Sequence, residues 1–337
     1  MMKSIATFWS IVAMVALAGS LAGAGTLDDV KSRGFLKCGV GVQSPAFAFA
    51  DEQGNFRGFD VEFCRSLAAA IGVDVKFRQV SAKERFPALQ SGEVDLLYRT
   101  TTWTMSRDVK LGFDFQGVNY YDGQGFMVRK SLGVTNAKEL DGASVCVSPG
   151  TTTELNLSDY FRSNGMKYKA VVIENAPDLV KAYDAGRCDV YTTDRSSLAS
   201  YRPTLKIPSD HVLLPEVISK EPLGPTTRHG DNQWGDVVRW VLNALIVAEE
   251  KGITKGNVNQ MVSSSKDPEV QRLLGVTGDF GADMGLGNDW AVKAIKSGGN
   301  FAEIFDATLG PNTPIGLDRG INALWNKGGI LYAPPIR

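Results

Sequence analysis

The chain has 337 residues and a mass of 36.4 kDa, enough for about two domains of ordinary size. Its 36 Lys and Arg against 37 Asp and Glu leave a net charge of -1, without the basic surplus that a general nucleic-acid binder uses to displace counterions. Only 2 His are present, which leaves little room for histidine metal sites or His-based catalytic triads.

The N-terminus reads as an export signal. Lys3 supplies the basic start, an apolar run extends from Ile5 to about Ala18, and Ala22-Gly23-Ala24 gives the small-x-small spacing of a cleavage site. Cleavage is expected after Ala24, so residues 1–24 read as a removable signal peptide and the mature protein is expected to be exported. The apolar run is shorter than the ~20 residues that span a bilayer. Export into an oxidising compartment makes the 4 Cys candidates for disulfides. Three pairings are possible. Cys38–Cys64 and Cys146–Cys188 are favoured, because each pair then falls within one predicted lobe.

From residue 27, a short helix ended by Gly34 precedes an apolar strand, Phe35 to Val40. Val61, Cys64, Leu67 and Ala68 recur at helical spacing, with Asp60 as the expected N-cap. Val73 to Phe77 alternates as a strand, Arg85 to Ser91 reads as a helix ended by Gly92, and Val94 to Tyr98 as the next strand. The same succession returns: strand 143–147, helix 154–164, strand 168–173, helix 176–185 and strand 189–191. Alternation of this kind predicts an α/β fold with parallel sheets, here two βαβ lobes of similar plan. Two extended stretches, Tyr120 to Arg129 and Glu216 to Arg228, read as crossovers between the lobes. Lobe 1 is then discontinuous, 25–120 and 226–337, with lobe 2 at 121–225 including the hinge strands. An amphipathic helix is expected over 234–250, followed by a Gly-rich, helix-bearing tail.

Three segments carry candidate chemistry. Arg99 to Arg107 follows a strand end, where parallel sheets bind ligands, and offers threonine hydroxyls, backbone N–H groups and the bidentate fork of Arg107. Ser148 to Glu154 turns from a strand into a helix N-terminus, which favours anions. Asp194 ends a strand, where a carboxylate can accept from an ammonium or cap the next helix.

Together with Gly58-Phe59-Asp60-Val61, Pro87 to Asp95, Phe113-Asp114-Phe115 and Gly186 to Asp194, these segments resemble the periplasmic solute-binding proteins of polar amino-acid ABC transporters, family 3. The resemblance spans roughly residues 35–250. The Thr-Thr-Trp-Thr segment, the four cysteines and the long tail are similar to the general L-amino-acid-binding subgroup. The resemblance implies a type II periplasmic-binding fold of two lobes, hinged on two crossover strands. It implies a monomer that captures an L-amino acid and delivers it to a membrane permease with a cytoplasmic ATPase, using no cofactor and no metal. Arg107 corresponds to the arginine that clamps the α-carboxylate, with Thr102 beside it. The carbonyl of Thr100 and the carboxylate of Asp194 correspond to acceptors of the α-ammonium. Thr151, Thr152 and Thr153 correspond to further carboxylate donors. Arg85 matches the position facing the side chain in relatives that select acidic amino acids, and Arg99 adjoins it. Two arginines favour glutamate or aspartate and tolerate glutamine or asparagine, unless Glu84 or Glu93 pairs with Arg85. Gln43, Ser44 and Phe47 stand where many relatives carry an aromatic sandwich.

Dehydratase-like enzymes and sensor ligand modules use related lobes. On the enzyme reading, Glu84 and Glu154 are the candidate acids.

Overall fold

The computed structural model describes residues 25–337, so the signal segment and its cleavage site lie outside the described residues. Two five-stranded sheets of matching plan dominate. The first runs in the order Asp74–Gln79, Phe35–Val40, Leu96–Leu97, Thr226–Arg228, Phe113–Phe115. The second runs Lys169–Val172, Ser144–Val147, Val190–Asp194, Gln124–Arg129, His211–Leu213. In each, the first three strands are parallel and the fourth is antiparallel to its neighbours.

That fourth strand corrects the expectation of wholly parallel sheets. The stretches read as crossovers do more than cross. Tyr120–Asp122 and Glu221–Leu223 pair as a separate antiparallel ribbon between the sheets. The chain then continues into Gln124–Arg129 in one lobe and into Thr226–Arg228 in the other. Each sheet is therefore built around the strand arriving from the hinge.

Burial follows the sequence pattern. The inner strand Phe35–Val40 has Leu36, Cys38 and Val40 fully buried, whereas the edge strand Asp74–Gln79 alternates between half-buried and exposed residues. The helix Phe59–Ile71 begins after Gly58, not at an Asp60 cap. Gly58 has φ 127°, and a Cβ there would lie 2.4 Å from the Phe47 carbonyl oxygen. This turn thus requires glycine, and it leaves Asp60 in the first helical turn, free to face the cleft.

The tail is part of the first lobe's core. Helices Trp290–Gly298 and Phe301–Thr308 bury Trp290, Ile295, Phe301 and Phe305 in one cluster with Leu36, Leu67 and Trp234. Phe305 stacks on Tyr120 of the hinge ribbon. Farther on, the Asn322 side chain accepts from the Tyr121 N–H at 2.7 Å and donates to the Tyr121 carbonyl at 3.0 Å, occupying the ribbon edge as another strand would.

Both favoured disulfides form, Cys38–Cys64 and Cys146–Cys188, one in each lobe. They close loops of 26 and 42 residues, which in the chain-entropy account corresponds to about 3.5 and about 4 kcal/mol. Replacing either pair by serines is expected to lower the unfolding free energy by about 3–4 kcal/mol, read by urea titration against the oxidised protein. Among the described residues no helix is long and apolar enough to cross a membrane.

Candidate ligand-binding cleft

A cavity of about 400 Å³ lies between the sheets. Strand ends and helix starts of both lobes open onto it. From the first lobe come Asp60, Arg85, Arg99, Thr100 and Thr102; from the second, Thr151, Thr152, Thr153 and Asp194. The lobes touch across it. Ser81 Oγ donates to Glu174 Oε1 at 2.8 Å, and the Thr102 and Thr152 hydroxyls lie 3.3 Å apart. The cleft is therefore closed.

Eight of the nine residues expected from the sequence line this cavity. The ninth, Arg107, is buried behind it. Its guanidinium donates to the Thr102 carbonyl at 2.8 Å and lies 5.3 Å from the centre of the Phe86 ring. A π-helical turn over Ser106–Lys110 carries it there. Arg107 thus braces the loop that carries Thr102.

The threonines have divided tasks. Thr151 caps the helix Thr152–Ser163, accepting from Glu154 N–H at 3.1 Å and donating to the Ser148 carbonyl at 2.8 Å. Its hydroxyl is committed to the turn, and it serves the cavity by fixing the helix N-terminus there. Thr100 holds φ at +41°, unusual for a β-branched residue. Its N–H donates to Asp60 Oδ2 at 3.2 Å. Asp194 stands at the N-cap of helix Arg195–Tyr201 but makes no side-chain cap, so its carboxylate remains for the cavity.

Charge in the closed cavity is strained. Burial holds the Asp194 carboxyl well above its ordinary range; Asp122 and Glu221 push the same way, and Arg85 and Arg107 oppose them. Burial, with the neighbouring Arg107 and Arg99 guanidinium groups, holds Arg85 well below its ordinary range. Arg107 is pushed down to about 10, chiefly by burial. Arg85 is only 2% exposed and its Nε has no hydrogen-bond partner. Neither expected neutraliser engages it: Glu84 accepts the Ser81 N–H, and Glu93 pairs with Arg78 at 2.6 Å. Cations and carboxylates face each other here without pairing, an arrangement that an incoming anion and cation would neutralise.

Two buried acids beside the site set a pH dependence. Burial pushes Asp60 up to about 7 and Asp122 up to about 6 from an ordinary value of 3.8. Their contribution to the stability of the ligand-free fold is fully present below 3.8 and is lost as pH rises through about 6 to 7. Ligand-free protein is therefore expected to melt at a higher temperature near pH 5 than near pH 7.5. Binding of an ammonium group favours ionised acids, so amino-acid affinity is expected to fall over the same descent in pH. Scanning calorimetry and titration calorimetry at the two pH values check both signs.

Glu174, Asn175 and Tyr201 line the cavity with no sequence signal of their own. Asp60, read from the sequence as a cap, and Tyr191, within the Gly186 to Asp194 segment, are also brought into the lining by the fold. The tyrosines come from the second lobe, whereas Phe47, in the first loop, is buried in the core. Glu221 of the hinge ribbon is buried beside Thr102 and Thr152. Among the described residues no group of three or more His, Cys, Asp or Glu is arranged to hold a metal ion.

The model of the bacterial extracellular solute-binding proteins, family 3, matches residues 36–252. The chain belongs to this family. Among relatives of this solute-binding protein, the general L-amino acid-binding periplasmic protein AapJ of Rhizobium johnstonii is 56% identical over 330 residues, covering 96% of each chain. The glutamate/glutamine/aspartate/asparagine-binding protein BztA of Rhodobacter capsulatus is 54% identical over the full length of both. A periplasmic binding protein from Brucella ovis, solved with glutathione bound, is 54% identical, with a TM-score of 0.91 over 94% of this chain and 100% of that one. The two-lobed solute-binding fold and the disulfide framework follow the pattern expected from the sequence. The tail beyond residue 252 lies outside the family match but within the reach of these long relatives.

Proposed function

We propose that this protein is the periplasmic component of an ABC importer and captures L-amino acids, with acidic and amide side chains favoured. The observation that carries this reading is the opposition, across one closed cavity, of Arg85 and Arg99, with the buried Arg107 guanidinium behind them, to Asp194. A zwitterion supplies both missing charges. In this reading Arg107 and Thr102 hold the α-carboxylate, aided by the helix N-terminus at Thr151, Thr152 and Thr153. Asp194 and the Thr100 carbonyl receive the α-ammonium, and Arg85 with Arg99 faces the side chain.

The two lobes, 25–120 with 226–337 and 121–225, rotate about the Tyr120–Asp122 and Glu221–Leu223 ribbon. The ligand favours the closed state through contacts made with both. The exported monomer, cleaved after Ala24, then docks on a membrane permease coupled to a cytoplasmic ATPase. It binds its ligand and does not transform it. Overnight incubation with L-glutamate tests this: a saturable isotherm with full recovery of unchanged glutamate is expected, and accumulation of any product overturns the binding reading.

The glutathione-bound relative favours a second ligand class, γ-glutamyl peptides. Their glutamyl end carries the same α-carboxylate and α-ammonium. Competition between glutathione and L-glutamate for one site is the corresponding test.

A further inference from the structure

Glu221 lies on the returning hinge strand, in register with Asp122, and is 1% exposed. Its Oε2 accepts from Thr102 Oγ1 at 2.5 Å and from Thr152 Oγ1 at 2.9 Å. Its Oε1 accepts from Asn156 Nδ2 at 2.7 Å and from Ser219 Oγ at 2.6 Å. Thr102 belongs to the loop braced by Arg107. Thr152 and Asn156 belong to the opening turns of the helix that forms the opposite wall. A single carboxylate at the pivot is thus bonded to both walls of the cleft.

A carboxylate has about four lone-pair positions, and in the closed arrangement all are used. Opening carries Thr152 and Asn156 away from Thr102, and this carboxylate cannot keep both sets of donors. Buried charge left with fewer donors is disfavoured, so the network weights the closed state. It also orients the two threonines. Both hydroxyl hydrogens are directed to Glu221, so neither hydroxyl is free to donate to a ligand, and donation is left to backbone N–H groups and the arginines.

We propose that Glu221 is the positioning residue that couples ligand capture to hinge closure, by fastening the ligand-facing threonines of both lobes to the pivot. This rests on the amino-acid-binding reading above. Closure follows encounter, so the effect belongs mainly in the rate at which ligand escapes.

The test is stopped-flow binding of L-glutamate to wild type, Glu221→Gln, Thr152→Val and the double variant. Glu221→Gln is expected to raise the dissociation rate constant at least tenfold and to change the association rate constant less than threefold. The double variant should dissociate no faster than Glu221→Gln alone, because the threonine acts through the carboxylate. Glu221→Asp should restore part of the loss. Unchanged dissociation, or multiplicative effects of the two substitutions, would overturn the proposal. If Glu221→Gln does not fold, Thr102→Val and Thr152→Val replace it, with the same non-multiplicative expectation for the pair. If wild type binds no L-glutamate, the functional reading has failed separately. Small-angle scattering of the ligand-free proteins then decides: Glu221→Gln or, failing that, Thr152→Val should be more extended than wild type, and equal dimensions refute the coupling.

Discussion

Arg107→Ala is expected to weaken L-glutamate binding at least a hundredfold. Hydrogen bonds to charged groups contribute about 1.5–3 kcal/mol each, and a bidentate clamp loses two of them. At about 1.4 kcal/mol per tenfold, that is two to four orders of magnitude. The structure adds a second loss. The same guanidinium holds the Thr102 carbonyl at 2.8 Å, so its removal also frees the loop that carries Thr102. Arg107→Lys should recover little, because a lysine ammonium cannot make the planar two-pronged contact while bracing that carbonyl. Titration calorimetry on protein of near-native melting temperature measures the loss; affinity within tenfold of wild type would remove Arg107 from the site.

The second large effect concerns selectivity. Arg85→Gln is expected to lower affinity for L-glutamate about a hundredfold and for L-glutamine less than tenfold. Arg85 is buried, its Nε lacks a partner, and two other guanidinium groups crowd it. Such a cation gains most from a ligand carboxylate and much less from an amide oxygen. Equal losses for both amino acids would mean that Arg85 supports the cavity wall and does not read the side chain. Calorimetric titration with the two ligands in parallel distinguishes these outcomes.

The parts of this molecule that repeat with a period were legible in the sequence. Apolar runs such as Phe35–Val40 and the helical spacing of Val61, Cys64 and Leu67 mark the parallel strands and helices of each lobe, because burial on both faces demands them. The Arg99 to Arg107 and Gly150 to Glu154 segments were legible because strand ends and helix starts have recognisable chemistry. Glu221 was not. Lys220-Glu221-Pro222 has the composition of an exposed turn, and only the pairing of two distant hinge strands buries it. Asp60 was misassigned as a cap because the spacing of Gly58 and Asp60 fits either role. What decides is the close approach of Gly58 to the Phe47 carbonyl, a contact that no local pattern encodes. The placement of Arg107 behind Thr102 depends on a π-helical turn, which likewise has no sequence signature.

In the proposed function one cavity reads both charges of an amino acid, the carboxylate through Arg107 behind the cavity wall and the ammonium through Asp194. Comparing L-glutamate with glutarate, which keeps both carboxylates and lacks only the α-ammonium, tests it most directly by titration calorimetry. Saturable L-glutamate binding is expected, with glutarate at least a hundredfold weaker and that difference largely abolished in Asp194→Asn. Equal affinity for the two in wild type would contradict it.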